Sequence, residues 1–313
     1  MPSGSDAAGS DAIGDPEPRD VEGTVSWGQL LAETERRLTD AGVTHAAVDA
    51  RRIVEQASGL RGSELALALD EPARRRAVAH LDAMVERRLA GEPLQYVLGE
   101  WGFRTLELMV DARVLIPRPE TEVVAGLALA ELDRVRADEP ARLARVVDLG
   151  TGSGAIALSV AAERDHVEVW ATDRSADALM VASANLAGLG LRGRSVHLAE
   201  GSWFGALPDE LRGVLDVIVS NPPYVAAGDE LPAEVADWEP AGALVSGPTG
   251  REALEHLVEG AARWLARPVA LVVELAPDQA VEIAALARAR GYEDVSVEPD
   301  LTGRPRALVG RLR

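Results

Sequence analysis

Short apolar runs alternate with helical patterns along the part of the sequence that follows Pro119, and this alternation restricts the possible folds more than any other feature. It predicts a mostly parallel sheet with helices on both faces, and therefore an α/β fold. Helices are expected over residues 153–163 and 176–186, and a third is indicated by Leu254, Leu257, Val258, Ala261 and Leu265. The predicted strands cover residues 145–149, 167–171, 196–199, 214–219, 269–273, 295–297 and 307–309.

The residues before this alternating part have a helical pattern from Ser26 to about Leu89, which predicts three or four short helices. Ser26 is a candidate N-cap, and Gly91-Glu92-Pro93 ends the last helix. Residues 96–98 and 103–110 then resemble short strands. We therefore expect four segments, which are an acidic disordered tail (1–23), a small all-helical domain (24–91), a β-hairpin linker (92–115) and an α/β domain (116–313).

The charge of the chain limits its partners. A formal net charge of −19 argues against a protein that holds long nucleic acid through its phosphates, so no stable nucleic-acid partner is expected. Part of this excess lies in residues 1–23, whose acidic and polar composition predicts the disordered tail. The sequence has no run of 18 apolar residues and no secretory signal, so we expect no membrane partner and a cytoplasmic location.

Cysteine and histidine usage argues against a metal centre. The chain has no cysteine, which excludes disulfides, thiolate zinc sites and a cysteine nucleophile. Its five histidines show no ligand spacing such as HExxH, and packing or surface roles are expected for them. We therefore expect no bound metal.

The run Asn221-Pro222-Pro223-Tyr224 follows a predicted strand directly and is suited to holding a planar amino group. Two prolines fix φ and lack an N–H, so the chain leaves the strand in a rigid, extended form. The Asn221 oxygen and the Pro222 carbonyl can each accept one N–H, while the Tyr224 ring stacks on the plane of the group. Adenine, cytosine and a carboxamide side chain all carry such a group. A proline turn with Tyr224 as a packing residue explains the same four residues equally well.

A glycine-rich loop, Asp148-Leu149-Gly150-Thr151-Gly152-Ser153-Gly154, joins a predicted strand to a predicted helix. Glycines let the backbone turn sharply and approach a ligand, and a helix N-terminus offers free N–H groups. The next strand ends in Asp173, where a carboxylate can accept hydrogen bonds from both hydroxyls of a ribose. The order of strand, loop, helix and acid therefore predicts a nucleoside-binding site.

A nicotinamide-dependent oxidoreductase is a competing interpretation of this loop, because Gly150, Gly152 and Ala155 also fit the dinucleotide fingerprint. A P-loop is excluded, because the loop lacks the required lysine. Asp148, the third glycine at Gly154 and above all the run 221–224 separate the two remaining candidates. A dehydrogenase has no evident use for a receptor of amide groups.

Together these motifs resemble a known family. Residues 148–154 with Asp173 are similar to the S-adenosylmethionine loop of class I methyltransferases, and residues 221–224 are similar to the catalytic motif of those that methylate planar amino or amide nitrogens. The closer resemblance, from about residue 26 to the C-terminus, is to the release factor glutamine methyltransferases of the PrmC/HemK type. It is carried by Gly91-Glu92-Pro93, Ile116-Pro117-Arg118-Pro119-Glu120-Thr121-Glu122 and Glu239-Pro240-x-x-Ala243-Leu244.

The resemblance implies a Rossmann-like, seven-stranded methyltransferase sheet preceded by a helical domain that helps hold the protein substrate. It implies methylation, with S-adenosylmethionine as cofactor, of the glutamine in the Gly-Gly-Gln motif of bacterial peptide-chain release factors. The implied cofactor-binding residues are Asp148, Gly150, Thr151, Gly152, Ser153, Gly154, Asp173, Trp203 and Asn221. The implied substrate-binding residues are Asn221, Pro222, Pro223, Tyr224, Arg118 and Glu122, of which Asn221, Pro222 and Tyr224 are expected to be catalytic.

Several of these assignments have alternatives. Arg118 and Glu122 fit a surface salt bridge and a helix cap equally well, and Trp203 could be a core residue. Two positions depart from the family pattern, because Ser202 replaces the usual acid before the Trp-Phe pair and Ala276 replaces a glycine often found two residues after Glu274. Other substrates of the same chemistry are a ribosomal-protein glutamine and adenine in nucleic acid. A non-catalytic nucleoside-binding module is an alternative of a different class.

Overall fold

The computed structural model of the protein describes residues 25–137 and 139–312. Its contacts divide the chain into two compact units, one ending at Leu89 and the other beginning at Ala90. The acidic tail expected over residues 1–23 lies outside the described residues. Each unit has its own buried apolar residues and is described by itself below.

The first unit is helical. Ser26 caps its first helix, because the Ser26 hydroxyl accepts the Gln29 N–H and the Gln29 side chain accepts the Ser26 N–H. This reciprocal arrangement confirms the N-cap that the sequence predicts. Leu38, Ile53 and Val85 are fully buried in the unit. The helices are α1 (Trp27–Asp40), α2 (Ala46–Ser58), α3 (Ser63–Leu67) and α4 (Arg75–Leu89).

The second unit begins with a helix, α5 (Leu94–Leu98), so the strand expected over residues 96–98 is wrong. A short apolar run does not distinguish a strand from one turn of helix, and here Gly99 ends the turn in a left-handed conformation with φ 78°. The Tyr96 hydroxyl donates to the Val114 carbonyl at 2.5 Å, which holds the turn. An antiparallel hairpin follows, formed by β1 (Glu100–Phe103) and β2 (Leu106–Met109).

The central sheet has seven strands and contains all the predicted apolar runs, apart from Val214 at the edge of one of them. The remaining strands of the unit are β3 (Ala144–Leu149), β4 (Val167–Asp173), β5 (Val196–Glu200), β6 (Leu215–Ser220), β7 (Val225–Ala226), β8 (Val245–Gly247), β9 (Leu265–Glu274), β10 (Asp294–Pro299) and β11 (Pro305–Leu312). The sheet order is β10-β11-β9-β6-β3-β4-β5, while β7 pairs separately with β8. The strands from β9 to β5 are parallel, and β11 is antiparallel to both its neighbours. The expected Rossmann-like, mostly parallel sheet is thus confirmed.

Helices cover both faces of this sheet because successive strand residues point in opposite directions. Val146 packs with residues of α6 and α7 on one face, whereas Val147 packs with residues of α11 and α12 on the other. Leu265, expected to belong to a helix, instead begins β9, because α11 ends at Ala261. The helices of the unit after α5 are α6 (Pro119–Val135), α7 (Ala155–Glu163), α8 (Ala176–Gly188), α9 (Ala233–Ala236), α10 (Ala241–Leu244), α11 (Glu252–Ala261) and α12 (Ala280–Ala289).

The parallel strands end at a common edge of the sheet. Leu149, Asp173, Ser220 and Glu274 are the last residues of β3, β4, β6 and β9. The Ser220 hydroxyl donates to the Leu149 carbonyl at 2.5 Å and joins two of these ends. Among the described residues, no helix is both long enough and apolar enough to cross a membrane.

Candidate active site

A cavity of about 340 Å³ lies at the carboxyl ends of β3, β4 and β6. The strand order reverses here, because β4 lies on one side of β3 and β6 on the other, and such a reversal leaves a crevice in open α/β sheets. The cavity brings together nine of the residues that the sequence predicts for cofactor or substrate binding. These are Asp148, Gly150, Thr151, Gly152, Ser153, Asp173, Trp203, Asn221 and Pro223.

The loop after β3 turns sharply because three of its glycines have positive φ angles, 77° at Gly150, 57° at Gly152 and 87° at Gly154. The N–H groups of Gly150 and Thr151 both donate to the Thr172 carbonyl, at 2.8 and 2.9 Å, and fix the loop to β4. A Cβ on Gly154 would lie 2.9 Å from the Leu158 side chain, which explains the glycine at the start of α7 although Gly154 does not line the cavity. The glycines therefore shape one wall of the cavity.

Asp173 closes this loop from the end of β4. Its Oδ2 accepts the Gly152 N–H at 2.9 Å, and its Oδ1 accepts the Ser175 N–H at 2.9 Å. A carboxylate oxygen has more than one lone pair, so both oxygens can still accept a hydroxyl. The half-buried Asp173 carboxylate is thus fixed in the cavity wall with capacity for a ribose.

Asp148 is fully buried below the loop. Its Oδ2 accepts the Thr151 hydroxyl at 2.7 Å and the Ala157 N–H at 3.1 Å, whereas its Oδ1 has no partner among the described residues. Burial raises the pKa of Asp148 to about 7, against the lowering effect of these two hydrogen bonds, and the nearby Asp173 charge raises it further. A buried oxygen without a donor beside a cavity is suited to a positively charged or hydrogen-bonding ligand.

Trp203 forms part of the cavity wall beside the glycine loop. Its ring lies 3.7 Å from the position that a Cβ on Gly150 would occupy. The backbone of Trp203 has φ 49°, which is unusual for a bulky residue and marks a position held by its surroundings. The half-buried ring lines the cavity, where it can stack on a flat ligand.

Ser202 and Ala276, the two residues that differ from the family pattern, have different structural consequences. Ser202 lines the cavity beside Trp203, and its side chain caps no helix N–H. Ala276 has φ −75° and ψ 147°, a conformation open to any residue, so the turn needs no glycine. The alanine is therefore accommodated without strain, and the serine hydroxyl stands where the family carries an acid.

Asn221 follows β6 and presents its amide to the cavity. The Asn221 Nδ2 donates to the Thr121 hydroxyl oxygen at 3.0 Å, and the Thr121 hydroxyl in turn donates to Glu274 Oε2 at 2.7 Å. Among the described residues, no donor is bonded to Asn221 Oδ1. The amide oxygen is therefore left for a ligand, as the sequence interpretation requires.

The other residues of this run lie around Asn221. Pro223 lines the cavity, Pro222 is buried, and the Tyr224 ring packs against the core on the α11 side. The Tyr224 hydroxyl donates to Glu274 Oε1 at 3.3 Å. Burial raises the pKa of Tyr224, and the neighbouring Glu274 raises it further, so the phenol stays protonated at neutral pH.

Arg118 and Glu122 lie outside the cavity lining. Arg118 forms an ion pair with the buried Glu239, whose other oxygen accepts the Ile116 N–H at 3.1 Å. This pair joins the start of α6 to the segment that supplies Pro240, Gly242 and Ala243 to the cavity wall. Glu122 accepts the Arg104 N–H at 2.9 Å and so contacts the turn of the hairpin instead.

Sequence reasoning missed Thr121 and Glu274. Thr121 lines the cavity, and Glu274 is completely buried behind it. A signal for Glu274 was present, because an acid ends the otherwise apolar run of β9. Arg113 and Arg174 also line the cavity without having been predicted. In residues 25–137 and 139–312, no three His, Asp or Glu side chains are grouped so that they could hold a metal ion.

Comparisons with known proteins show what the whole chain is similar to. The chain matches the family model of the PrmC N-terminal domain over residues 29–99 and that of the methyltransferase small domain over residues 132–237. A release factor glutamine methyltransferase from Cereibacter sphaeroides is 39% identical over 279 residues, which cover 88% of this chain and 95% of that protein. One of the same name from Deinococcus radiodurans is 41% identical over 283 residues, which cover 90% and 97%.

A solved structure is also similar. The crystal structure of a release factor-specific protein-(glutamine-N5) methyltransferase from Alicyclobacillus acidocaldarius is 30% identical in sequence, with a TM-score of 0.38. The match covers 63% of this chain and 93% of that one.

Proposed function

Because the chain belongs to the release factor glutamine methyltransferase family, we propose that it methylates the side-chain amide nitrogen of the glutamine in the Gly-Gly-Gln motif of bacterial peptide-chain release factors. The observation that carries the proposal is the Asn221 amide, which lines the cavity with its nitrogen held by Thr121 and its oxygen without a donor among the described residues. Such an oxygen can accept an N–H of a carboxamide. The competing interpretation as a nicotinamide-dependent oxidoreductase is wrong for a member of this family.

S-adenosylmethionine is the methyl donor, and the cavity wall fits it. Asp173 offers acceptor capacity for a ribose, the Trp203 ring offers a stacking surface, and the unpartnered Asp148 Oδ1 suits the cofactor's positive charge. Gly150 and Gly152 bring the backbone close to the cavity without a Cβ. The bound cofactor supplies a methyl group on a sulfonium, already activated for transfer.

A carboxamide nitrogen is a poor nucleophile, because its lone pair is delocalised into the carbonyl. We assign one N–H group of the substrate amide to Asn221 Oδ1 and the other to the Pro222 carbonyl. Acceptance of both hydrogens raises the electron density on the amide nitrogen as attack begins. Fixing an amide at near-attack distance can lower the barrier by about 7–11 kcal/mol, so we assign the main contribution of the protein to orientation. The alkylated nitrogen becomes acidic and can lose its proton to water, so no strong side-chain base is needed.

We assign the helical domain, residues 24–91, to binding of the protein substrate, and residues 116–313 to the methyl transfer. The support is that every residue lining the cavity belongs to the second unit. Arg118 then acts on the substrate indirectly, through the wall segment after Glu239, whereas Glu122 contacts the hairpin turn at Arg104. The expected cytoplasmic location is part of this proposal, because release factors act on ribosomes.

The test is transfer of labelled methyl groups from S-adenosylmethionine to a purified bacterial release factor. We expect one methyl group per release factor and none when the glutamine of its Gly-Gly-Gln motif is replaced by alanine. A ribosomal-protein fraction and an adenine-containing nucleic acid serve as competing substrates in parallel reactions. Labelling that persists after replacement of the glutamine, or that appears only on a competing substrate, would contradict the proposed substrate.

A further inference from the structure

One buried carboxylate connects Asn221, to which we assign one N–H of the substrate amide, with Tyr224 of the same run. Glu274 Oε2 accepts the Thr121 hydroxyl at 2.7 Å, and Glu274 Oε1 accepts the Tyr224 hydroxyl at 3.3 Å. Thr121 accepts the Asn221 Nδ2–H at 3.0 Å. The path from Asn221 through Thr121 and Glu274 to Tyr224 joins the start of α6, the end of β9 and the segment after β6.

The direction of these hydrogen bonds determines which end of the Asn221 amide reaches the cavity. Above about pH 7 Glu274 is mainly ionised and has no hydrogen to donate, so Thr121 gives its single hydroxyl hydrogen to Glu274. The Thr121 oxygen is then only an acceptor for Asn221, and it selects the NH₂ end of the amide. Asn221 Oδ1 is consequently turned to the cavity, where it can accept a substrate N–H.

With the opposite amide orientation, Asn221 would present NH₂ to the NH₂ of a substrate glutamine. Two donors facing each other cannot form a hydrogen bond and leave a polar group unpaired, which is costly in a water-excluded site. The orientation of this amide therefore separates a competent site from an incompetent one.

We propose that Thr121 and Glu274 are positioning residues for methyl transfer, which hold the Asn221 amide with its oxygen facing the substrate and anchor Tyr224 through the same carboxylate. The proposal rests on the proposed function, since it concerns how that function's substrate amide is held. Thr121 lines the cavity beside Asn221, whereas Glu274 lies behind it and acts through Thr121 and Tyr224.

The surroundings of Glu274 support this role. Arg306 on β11 lowers its pKa, as do the hydrogen bonds from Thr121 and Tyr224, whereas Glu120 on α6 raises it. Burial is the largest effect, and the pKa of Glu274 is raised to about 7. A completely buried carboxylate is costly unless it is hydrogen-bonded. Its two donors here both belong to side chains connected with the substrate site.

The test compares Thr121→Val, which removes the hydroxyl at nearly constant volume, with Thr121→Ser, which keeps it. At saturating release factor and cofactor, we expect kcat of Thr121→Val to fall about tenfold or more, because the amide loses its fixed orientation. Thr121→Ser is expected to retain kcat within about threefold. Calorimetry should give the same S-adenosylmethionine affinity for both variants within about twofold, because Thr121 makes no hydrogen bond to the glycine loop.

Ser159→Ala is the matched control. Ser159 is a buried hydroxyl that donates to the Ala155 carbonyl within α7, away from the substrate amide, and its removal is expected to leave kcat unchanged. If Thr121→Val does not fold, Thr121→Ala replaces it with the same expected loss.

Three outcomes would overturn the positioning role. These are an unchanged kcat in the variant that lacks the hydroxyl, an equal loss in Thr121→Ser, and a loss that follows cofactor affinity. Failure of the proposed function is separate, because the wild-type protein would then not methylate the release factor at all.

Discussion

Replacing Asn221 with alanine is expected to lower kcat strongly while leaving cofactor affinity nearly intact. In the structure the Asn221 amide is held through Nδ2 by Thr121, and its Oδ1 is free to accept a substrate N–H. Alanine removes this acceptor and the fixed geometry together. The family resemblance also implies a cofactor contact for Asn221, but its side-chain hydrogen bond among the described residues is to Thr121 of α6, whereas the glycine loop is fixed by Thr172 and Asp173.

The magnitude follows from comparable cases in which one preorganised hydrogen-bonding group is removed from a reacting centre. Such a loss costs about 2.7–4 kcal/mol in the barrier, which corresponds to about 100- to 1,000-fold in kcat. The fold should be little affected, because Asn221 is only partly buried and its one side-chain hydrogen bond among the described residues is to another side chain. We therefore expect the melting temperature to change by no more than about 4 °C, which corresponds to about 1 kcal/mol or less in a domain of this size.

The assay measures initial rates with labelled S-adenosylmethionine at saturating release factor, together with calorimetric titration of the cofactor into each variant. Asn185→Ala is the matched control, because Asn185 donates to the Ser153 carbonyl of the glycine loop at 2.9 Å and exchanges two hydrogen bonds with the Met109 backbone. That variant should lose cofactor affinity and thermal stability instead. A loss of cofactor affinity in Asn221→Ala as large as its loss of kcat, or a kcat within about tenfold of wild type, would refute this reasoning.

Two further predictions concern the cofactor wall. Gly150→Ala places a Cβ beside Trp203 at a residue whose φ is 77°. We expect it to destabilise the fold by about 1–2 kcal/mol, measured by thermal unfolding, and to weaken cofactor binding, measured by calorimetry. An unchanged affinity would argue against a close approach of the cofactor to this glycine. Burial raises the pKa of Asp148 from its usual value of about 4 to about 7, so the folded protein favours the protonated carboxyl. In the free protein the contribution of this carboxyl to folding stability is therefore complete below about pH 4 and is lost as the pH rises through 7. The positively charged cofactor favours the ionised form, and its affinity is expected to rise as the pH increases through about 7. Asp148→Asn should remove this dependence, and a wild-type affinity that is flat over the same range would contradict the assignment.

The sheet could be predicted because each of its seven strands gives a local pattern in the sequence. Parallel strands buried on both faces give nearly continuous apolar runs, and 145–149 and 214–219 are such runs. The strand predicted over residues 96–98 is wrong because three apolar residues are too few to show a helical or a strand periodicity. The helical turn of α5 depends instead on Gly99 and on a hydrogen bond to the distant Val114. Strands β7 and β8, of two and three residues, are too short to give any pattern.

Part of the site could also be predicted, because Gly150, Gly152 and Asp173 lie in a fixed order of strand, loop and strand end. The connection of Asn221 to Thr121 and Glu274 could not be predicted from the sequence. Asn221 and Thr121 are 100 positions apart in the chain, and Thr121 and Glu274 are 153 positions apart. Only the fold brings the start of α6 beside the end of β9. Arg118 shows the same limit, since the sequence could not distinguish a substrate contact from the ion pair with Glu239.

The most direct test of the central claim is chemical identification of the methylated atom. A release factor treated with the protein and S-adenosylmethionine would be digested, and the peptide containing Gly-Gly-Gln would be fragmented in a mass spectrometer and hydrolysed. We predict one added methyl group on the glutamine side chain and release of methylamine on hydrolysis, because the methyl is bonded to the amide nitrogen that Asn221 holds. Release of methanol, or a methyl group on any residue other than this glutamine, would contradict the account.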